Sequence, residues 1–299
     1  MQSCTGFAPS NGIELAYEDM GNPDDPVVLM IMGLSAQMTL WPSQFCERIA
    51  QQGFRVIRFD NRDIGLSTKM DGQRIEGSAL LRLLRTELGA SSKVPYTLKD
   101  MALDTKGLLD HLEIRQAHVV GASMGGMIAQ TMALAEPRRV RSLASIMSTT
   151  GRRTVGWQHP SLFRNLLGRS SGREGYIRSS VTTWRIIGSP GYRQPQEATE
   201  KRAAETYERG VSLAGLTRQM AAIVTQPNRE PLLRGLAVPT VVIHGLADKM
   251  VHVSGGRATA AAIPGADLLL VDQMGHDLPA ALDETFTRAI RRNADRASA

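Results

Sequence analysis

Residues 119–129 read Val-Val-Gly-Ala-Ser-Met-Gly-Gly-Met-Ile-Ala. The short apolar run Ala117 to Val120 reads as a buried strand. From Met124 onward, Met127, Ile128, Met132 and Leu134 recur at a spacing that predicts a helix packed on a sheet. Between the two stands Gly121-Ala122-Ser123-Met124-Gly125. A side chain on so sharp a strand-to-helix turn has a strained backbone, so its flanking positions must lack bulk, and glycine supplies that. Ser123 is thereby a candidate nucleophile.

A serine hydroxyl attacks only when a general base takes its proton. A histidine and an orienting acid are therefore expected downstream, each just after a strand. Val238 to Ile243 is a β-branched run with the pattern of a buried parallel strand, and His244-Gly245-Leu246-Ala247-Asp248 follows it. Asp267 to Val271 forms the next strand and leads into Gln273-Met274-Gly275-His276-Asp277. Asp248 is the expected acid and His276 the expected base. Asp272 is the rival acid, but it stands only four residues before His276. His244 is read as a structural hydrogen-bonding residue and Asp277 as a solvent or cap residue. The remaining histidines, His111, His118, His159 and His252, show no ligand-like spacing, so no metal site is expected. Developing negative charge on the attacked carbonyl calls for two backbone N–H donors, one directly after the nucleophile and one after an early strand. Met124 supplies the first. Leu34, behind the strand Val27 to Met32, is expected to supply the second.

Further strands are expected at Ile13 to Asp19, Arg55 to Phe59 and Val140 to Met147. Helices are expected at Ser43 to Gln52, Leu98 to Leu112, Met124 to Ala135, Ser254 to Ile263 and Ala280 to Arg291. Strands alternating with helices imply a mostly parallel sheet covered on both faces. The alternation stops after Gly151, and residues 152–234 carry helical periodicity broken by Gly and Pro.

The chain resembles the α/β-hydrolase superfamily, serine carboxylesterase and lipase type, over nearly its whole length. The order Ser123, Asp248, His276 is that superfamily's order, and Asp60-Asn61-Arg62-Asp63-Ile64-Gly65-Leu66-Ser67 is similar to its Asp-x-Arg-Gly-x-Gly-x-Ser loop. Asp63 departs from this pattern, because the superfamily often has glycine there and the turn geometry is expected to differ. Met32-Gly33 stands where many members carry His-Gly. The stretch Met32 to Pro42 is similar to that of bacterial aclacinomycin methylesterase-like and lipase/esterase-like members. The resemblance implies an α/β fold: a mostly parallel, eight-stranded sheet flanked by helices, with a helical cap inserted after the sixth strand. The core would span 1–151 and 235–299, and the cap 152–234. It implies cofactor-free hydrolysis of a carboxylic ester through an acyl-enzyme, with Ser123, Asp248 and His276 as the triad. A serine at position 123 argues against dehalogenases and epoxide hydrolases, which use aspartate there. Haloperoxidases or perhydrolases and carbon–carbon bond hydrolases share the triad and stay open, as does a non-catalytic small-molecule receptor. Asp60 and Arg62 are read as a structural loop network. Trp157, Phe163, Leu166, Leu167, Tyr176, Ile177, Trp184, Ile186 and Ile187 are the apolar cap residues from which a substrate pocket could be drawn. Met30, Met32, Met38, Met124 and Met127 lie near it in sequence, and Trp157, Trp184 and Met127 are the named pocket residues.

The 299 residues suffice for one large α/β domain with an insertion. No stretch nears the roughly 20 apolar residues that span a bilayer, and the N-terminus lacks a basic start and apolar core, so a secretory signal is not expected. Two cysteines, Cys4 and Cys46, are too few for a disulfide framework and fit a cytoplasmic location. The net charge of +6 is uneven. Residues 151–234 hold 13 Arg and one Lys against six Glu and no Asp, so the rest of the chain is slightly acidic. A basic module could attract anionic esters, lysophospholipids, acyl thioesters or a lipid surface by peripheral contact. It could equally be a solvated arginine-rich face. No nucleic-acid-binding module is present.

Overall fold

The computed structural model describes residues 3–75, 78, 82, 84–85, 88, 90, 92–162 and 172–297. Phe163, Leu166 and Leu167 lie outside the described residues. Eight strands form one sheet: β1 Ser3–Ser10, β2 Ile13–Met20, β3 Val27–Ile31, β4 Arg55–Phe59, β5 Ala117–Ala122, β6 Val140–Ile146, β7 Thr240–Gly245 and β8 Asp267–Val271. Their order is β1-β2-β4-β3-β5-β6-β7-β8. β1 pairs antiparallel to β2 and β2 antiparallel to β4, and every later pairing is parallel.

β3, β5 and β7 are buried along their whole length, and β4 and β6 at all but one residue each, as a mostly parallel sheet covered on both faces requires. One face carries α2 Leu98–His111 and α3 Met124–Ala135, whose Met101, Leu108, Ile128 and Met132 meet Leu29, Ile57, Val119 and Leu143. The other carries α1 Ser43–Ala50 and a C-terminal helix, Asp283–Asp295, whose Phe45, Ile49, Phe286 and Ile290 pack on Val28, Val56, Val120 and Val241.

β1 is not anticipated from sequence. Ser-Cys-Thr-Gly-Phe-Ala-Pro-Ser has little hydrophobic alternation, since it is an edge strand with one open side, and Phe7 is half exposed. The helix expected from Ala280 is a 3₁₀ turn, Ala280–Leu282, before the helix proper.

Among the described residues, four α-helices lie between β6 and β7: α4 Gly172–Ile187, α5 Gln196–Arg209, α6 Leu213–Val224 and the short α7 Glu230–Leu233. No described residue of 152–234 is in a strand. After β7 come α8 Ser254–Ala262 and, closing the chain, α9 Asp283–Asp295. The insertion is bound to the core by a buried ion pair, Arg218 of α6 on Asp63 at 2.7 Å, and a partly buried one, Arg209 of α5 on Asp60 at 2.6 Å. Part of its positive surplus is thus neutralised by core carboxylates. No helix among the described residues is long and apolar enough to cross a membrane.

Candidate active site

Ser123 sits between β5 and α3 with φ 56° and ψ −120°, a left-handed backbone that a non-glycine residue holds only when its surroundings enforce it. Its N–H donates to the Ile146 carbonyl at 2.9 Å, and its own carbonyl accepts from the Ser148 hydroxyl at 2.8 Å. The flanking glycines are required by contact. A Cβ on Gly121 would lie 2.2 Å from the Gly125 carbonyl oxygen, and one on Gly125 would lie 2.0 Å from that of Ile31. Strand and helix therefore approach too closely for any side chain at either position.

His276, in the loop after β8, points Nε2 at Ser123 Oγ, 3.0 Å away, and Nδ1 at Asp248 Oδ2, 2.7 Å away. Asp248 follows β7, and its Oδ1 accepts the N–H groups of Met250 at 2.8 Å and Val251 at 2.9 Å. Burial opposes a charged Asp248, but the charge of His276 and hydrogen bonds from His244 and His276 hold the carboxyl well below the usual carboxylate range. Asp272, the rival acid, is exposed. Nδ1–H of His276 donating to an ionised Asp248 leaves Nε2 free to take a proton from Ser123.

His244 makes the structural bond expected of it, Nε2 to the Val251 carbonyl at 2.8 Å, and also stands 3.4 Å from Asp248 Oδ2. Of the two readings of Asp277, solvent or cap residue, the solvent one does not hold: Asp277 is partly buried, bonds Ser189 in the segment between β6 and β7 and borders the cavity.

Leu34 and Met124 flank the serine, and among the described residues neither N–H has a hydrogen-bond partner. The loop bearing Leu34 is held from a distance: Gln219 of α6 accepts the Ser35 N–H at 2.8 Å and donates to the Arg62 carbonyl at 2.9 Å. No local sequence signal links Gln219 to Ser35, because the two meet only when the insertion docks. Asp60 accepts the N–H groups of Met38 at 2.8 Å and Leu66 at 2.9 Å, while Arg62 pairs with Asp104. Both belong to loop scaffolding.

Ser123, His276, Leu34 and Met124 open into a cavity of about 1150 Å³ between sheet and insertion. Trp157, Trp184 and Met127 all line it, as do Tyr176, Ile187, Met32 and Tyr207, whereas Met30 and Met38 are buried in the core. Ile177 and Ile186 are not among its lining residues. Trp157 is half exposed at the rim and stacks on His252 with ring centres 4.2 Å apart. No group of three His, Cys, Asp or Glu side chains among the described residues is arranged to hold a metal ion.

Fold and site together define an α/β hydrolase. The chain belongs to that superfamily: residues 26–174 match its family model, described as alpha/beta hydrolase fold, and the sheet order and near-full-length relatives agree. It is 28% identical to the rhodomycin D methylesterase DauP of Streptomyces sp. (strain C5), covering 96% of both chains. It is 28% identical to a 2-hydroxy-6-oxononadienedioate/2-hydroxy-6-oxononatrienedioate hydrolase of Paraburkholderia xenovorans (strain LB400), over 93% of this chain and 89% of that one. The crystal structure of the enol-lactonase from Burkholderia xenovorans LB400 superposes with a TM-score of 0.74 at 22% identity, covering 97% of this chain and all of the other, and shares the fold.

Proposed function

We propose that the chain hydrolyses carboxylic esters through an acyl-enzyme on Ser123. The observation that carries this is the relay of Ser123 Oγ, His276 and Asp248 at 3.0 and 2.7 Å, opening into one large cavity. His276 takes the Ser123 proton as Oγ attacks the ester carbonyl. Asp248 holds the ring and stabilises the imidazolium. The N–H groups of Leu34 and Met124 receive the oxyanion, each worth about 3 kcal/mol in the transition state. His276 then protonates the leaving alcohol, and a water deprotonated by His276 releases the acid.

At about 1150 Å³ the cavity matches or exceeds the upper end of ordinary ligand sites, roughly 1,000 Å³. With Trp157, Tyr176, Trp184 and Tyr207 on its walls it suits a bulky, flat acyl portion. The near-full-length likeness to a rhodomycin D methylesterase supports a small alcohol such as methanol as the leaving group. Arg202 supports an acidic substituent on the substrate. It lines the cavity, stacks on Trp184 at 4.8 Å, donates to Gln194 at 3.0 Å and forms no ion pair with a described residue.

The test is hydrolysis of p-nitrophenyl acetate, butyrate and octanoate, with methanol release from the methyl ester of a polycyclic aromatic acid, by wild type and Ser123→Ala. Turnover by wild type that vanishes in the variant supports the reading, and equal turnover by both refutes it. Carbon–carbon bond hydrolysis on the same three residues is the second reading, favoured by the likeness to the oxononadienedioate hydrolase. Serine-dependent cleavage of a ketone substrate without alcohol release would select it.

A further inference from the structure

The last turn of α4 and the loop that carries His276 are fastened to each other. A helix end leaves carbonyls without partners inside the helix. Here the Ile187 carbonyl accepts the N–H of His276 itself, at 2.6 Å. Two residues on, Ser189 Oγ accepts the Gly275 N–H at 2.8 Å and donates its own O–H to Asp277 Oδ1, which also accepts the Ser189 N–H at 3.1 Å. The Gly191 N–H closes the seam on the Gln273 carbonyl at 3.2 Å. The fit is tight enough that a Cβ on Gly275 would lie 2.4 Å from the Ile187 carbonyl oxygen, and one on Gly191 would lie 2.4 Å from Gln273 Cβ.

Ser189 and Asp277 are the two side chains in this seam, and neither touches Ser123 or Asp248 in any bond described above. Ser189 is buried. Burial pushes the Asp277 carboxyl up, against the pull of its two Ser189 hydrogen bonds and of the nearby His276 and Arg202 charges. The pair thus brackets His276, with Gly275 held on one side and Asp277 on the other. On its cavity side, α4 presents Tyr176, Thr183, Trp184 and Ile187. The helix that walls the substrate space is therefore also the support of the base.

We propose that Ser189 and Asp277 are positioning residues that lock the His276 loop to α4, so that the base is aimed at Ser123 only when this helix of the insertion is seated. The inference rests on the serine-nucleophile reading above. A ring that must meet Oγ at 3.0 Å and Asp248 at 2.7 Å tolerates little drift, and a misplacement of about 1 Å costs on the order of 100-fold in rate.

The test compares Ser189→Ala, Asp277→Ala and Asp277→Asn with wild type. Asparagine keeps an oxygen at Oδ1 to accept both Ser189 bonds, and alanine does not. Two rates are read: labelling of Ser123 by a small fluorophosphonate, which needs a His276-activated serine whatever the natural substrate, and turnover of p-nitrophenyl butyrate. In the labelling, an Oγ–P bond forms, fluoride leaves and the serine proton passes to His276.

Ser189→Ala and Asp277→Ala are expected to lower labelling and kcat about 10- to 100-fold, with KM within about twofold and Tm near that of wild type. Asp277→Asn should stay within about threefold of wild type. If Asp277→Ala fails to fold, the contrast between Ser189→Ala and Asp277→Asn carries the same test. Alanine variants that label as fast as wild type overturn the proposal, as does an asparagine variant as slow as alanine, or a rise in KM at constant kcat. A wild type that does not label overturns the nucleophile reading itself, and the two failures are thereby told apart.

Discussion

Arg218 of α6 grips both carboxylate oxygens of Asp63, Nε 2.8 Å from Oδ2 and Nη2 2.7 Å from Oδ1, and Asp63 stands at φ 74°. The sequence marks Asp63 as an exception to a glycine pattern and suggests an altered turn. The backbone nevertheless takes a left-handed conformation open to glycine, and the carboxylate is used to tie the insertion to the core. Burial pushes the Asp63 carboxyl up, but hydrogen bonds from Arg218, the Tyr96 hydroxyl and the Met70 N–H overcome it and leave the group below its ordinary range. Arg218→Ala leaves this charge buried without its partner, so a loss of about 3–5 kcal/mol in urea unfolding is expected. Asp63→Gly relieves backbone strain of only about 1–3 kcal/mol while stranding Arg218. It should also destabilise, and a stabilised Asp63→Gly protein would refute the tie.

Asp248→Asn should reduce kcat by about 10⁴-fold with the fold intact, because an amide cannot hold the Nδ1–H tautomer of His276 or balance the imidazolium. Asp272→Asn should stay within twofold, since Asp272 is exposed while Asp248 is the carboxylate bonded to the ring. Ester turnover of the two variants, measured side by side, decides the acid. A larger loss in Asp272→Asn would reassign it.

What could be read in advance follows the range of the forces involved. The strand–turn–helix around Ser123 is local chemistry, with apolar spacing on each side and glycines where backbones touch, so residues 117–135 suffice to place it. The placement of Asp248 and His276 in the loops after β7 and β8 is legible because each follows an apolar run. β1 was not, because an edge strand exposes one face and needs no hydrophobic alternation. Nor were Gln219, Arg218, Arg209 or Ser189. Each acts across the docked insertion on a residue far away in the chain, and a polar residue on a helix carries no mark of the partner it will meet. The solvent reading of Asp277 fails for the same reason, since its partner Ser189 lies 88 residues away in the chain.

Arg202 offers a cation to the cavity, and burial holds its guanidinium below its ordinary range with Asp277 the charge that partly restores it. A desolvated cation with no ion pair among the described residues gains most from an anionic ligand group. Arg202→Gln is expected to raise KM about tenfold or more for half-esters of dicarboxylic acids, a charge-assisted contact being worth about 1.5–3 kcal/mol. KM for neutral esters of the same length should change less than threefold. A uniform change across both substrate sets would count against an acidic substrate.

His118 gives the fold an acid sensitivity with a definite sign. It is a buried residue of β5, with Nδ1 2.8 Å from Ser142 Oγ of β6 and its ring against Phe54. Burial, aided by the charges of Arg141 and Arg291, lowers it from 6.5 to about 4. Between those values the unfolded chain binds a proton that the folded chain refuses. Stability contributed by neutral His118 is therefore present above pH 6.5 and drains away as pH falls towards 4. The loss from this residue is on the order of 3 kcal/mol. Asp104 and Asp283, whose carboxyls are pushed up by burial, work in the opposite direction and gain stability as pH falls. Their contribution is common to wild type and a His118→Gln variant, so the difference between the two proteins isolates the imidazole. Urea midpoints at pH 7 and pH 4.5 should separate strongly in wild type and much less in His118→Gln, even though the substitution itself costs packing against Phe54. Equal separation in both proteins would move the acid sensitivity elsewhere.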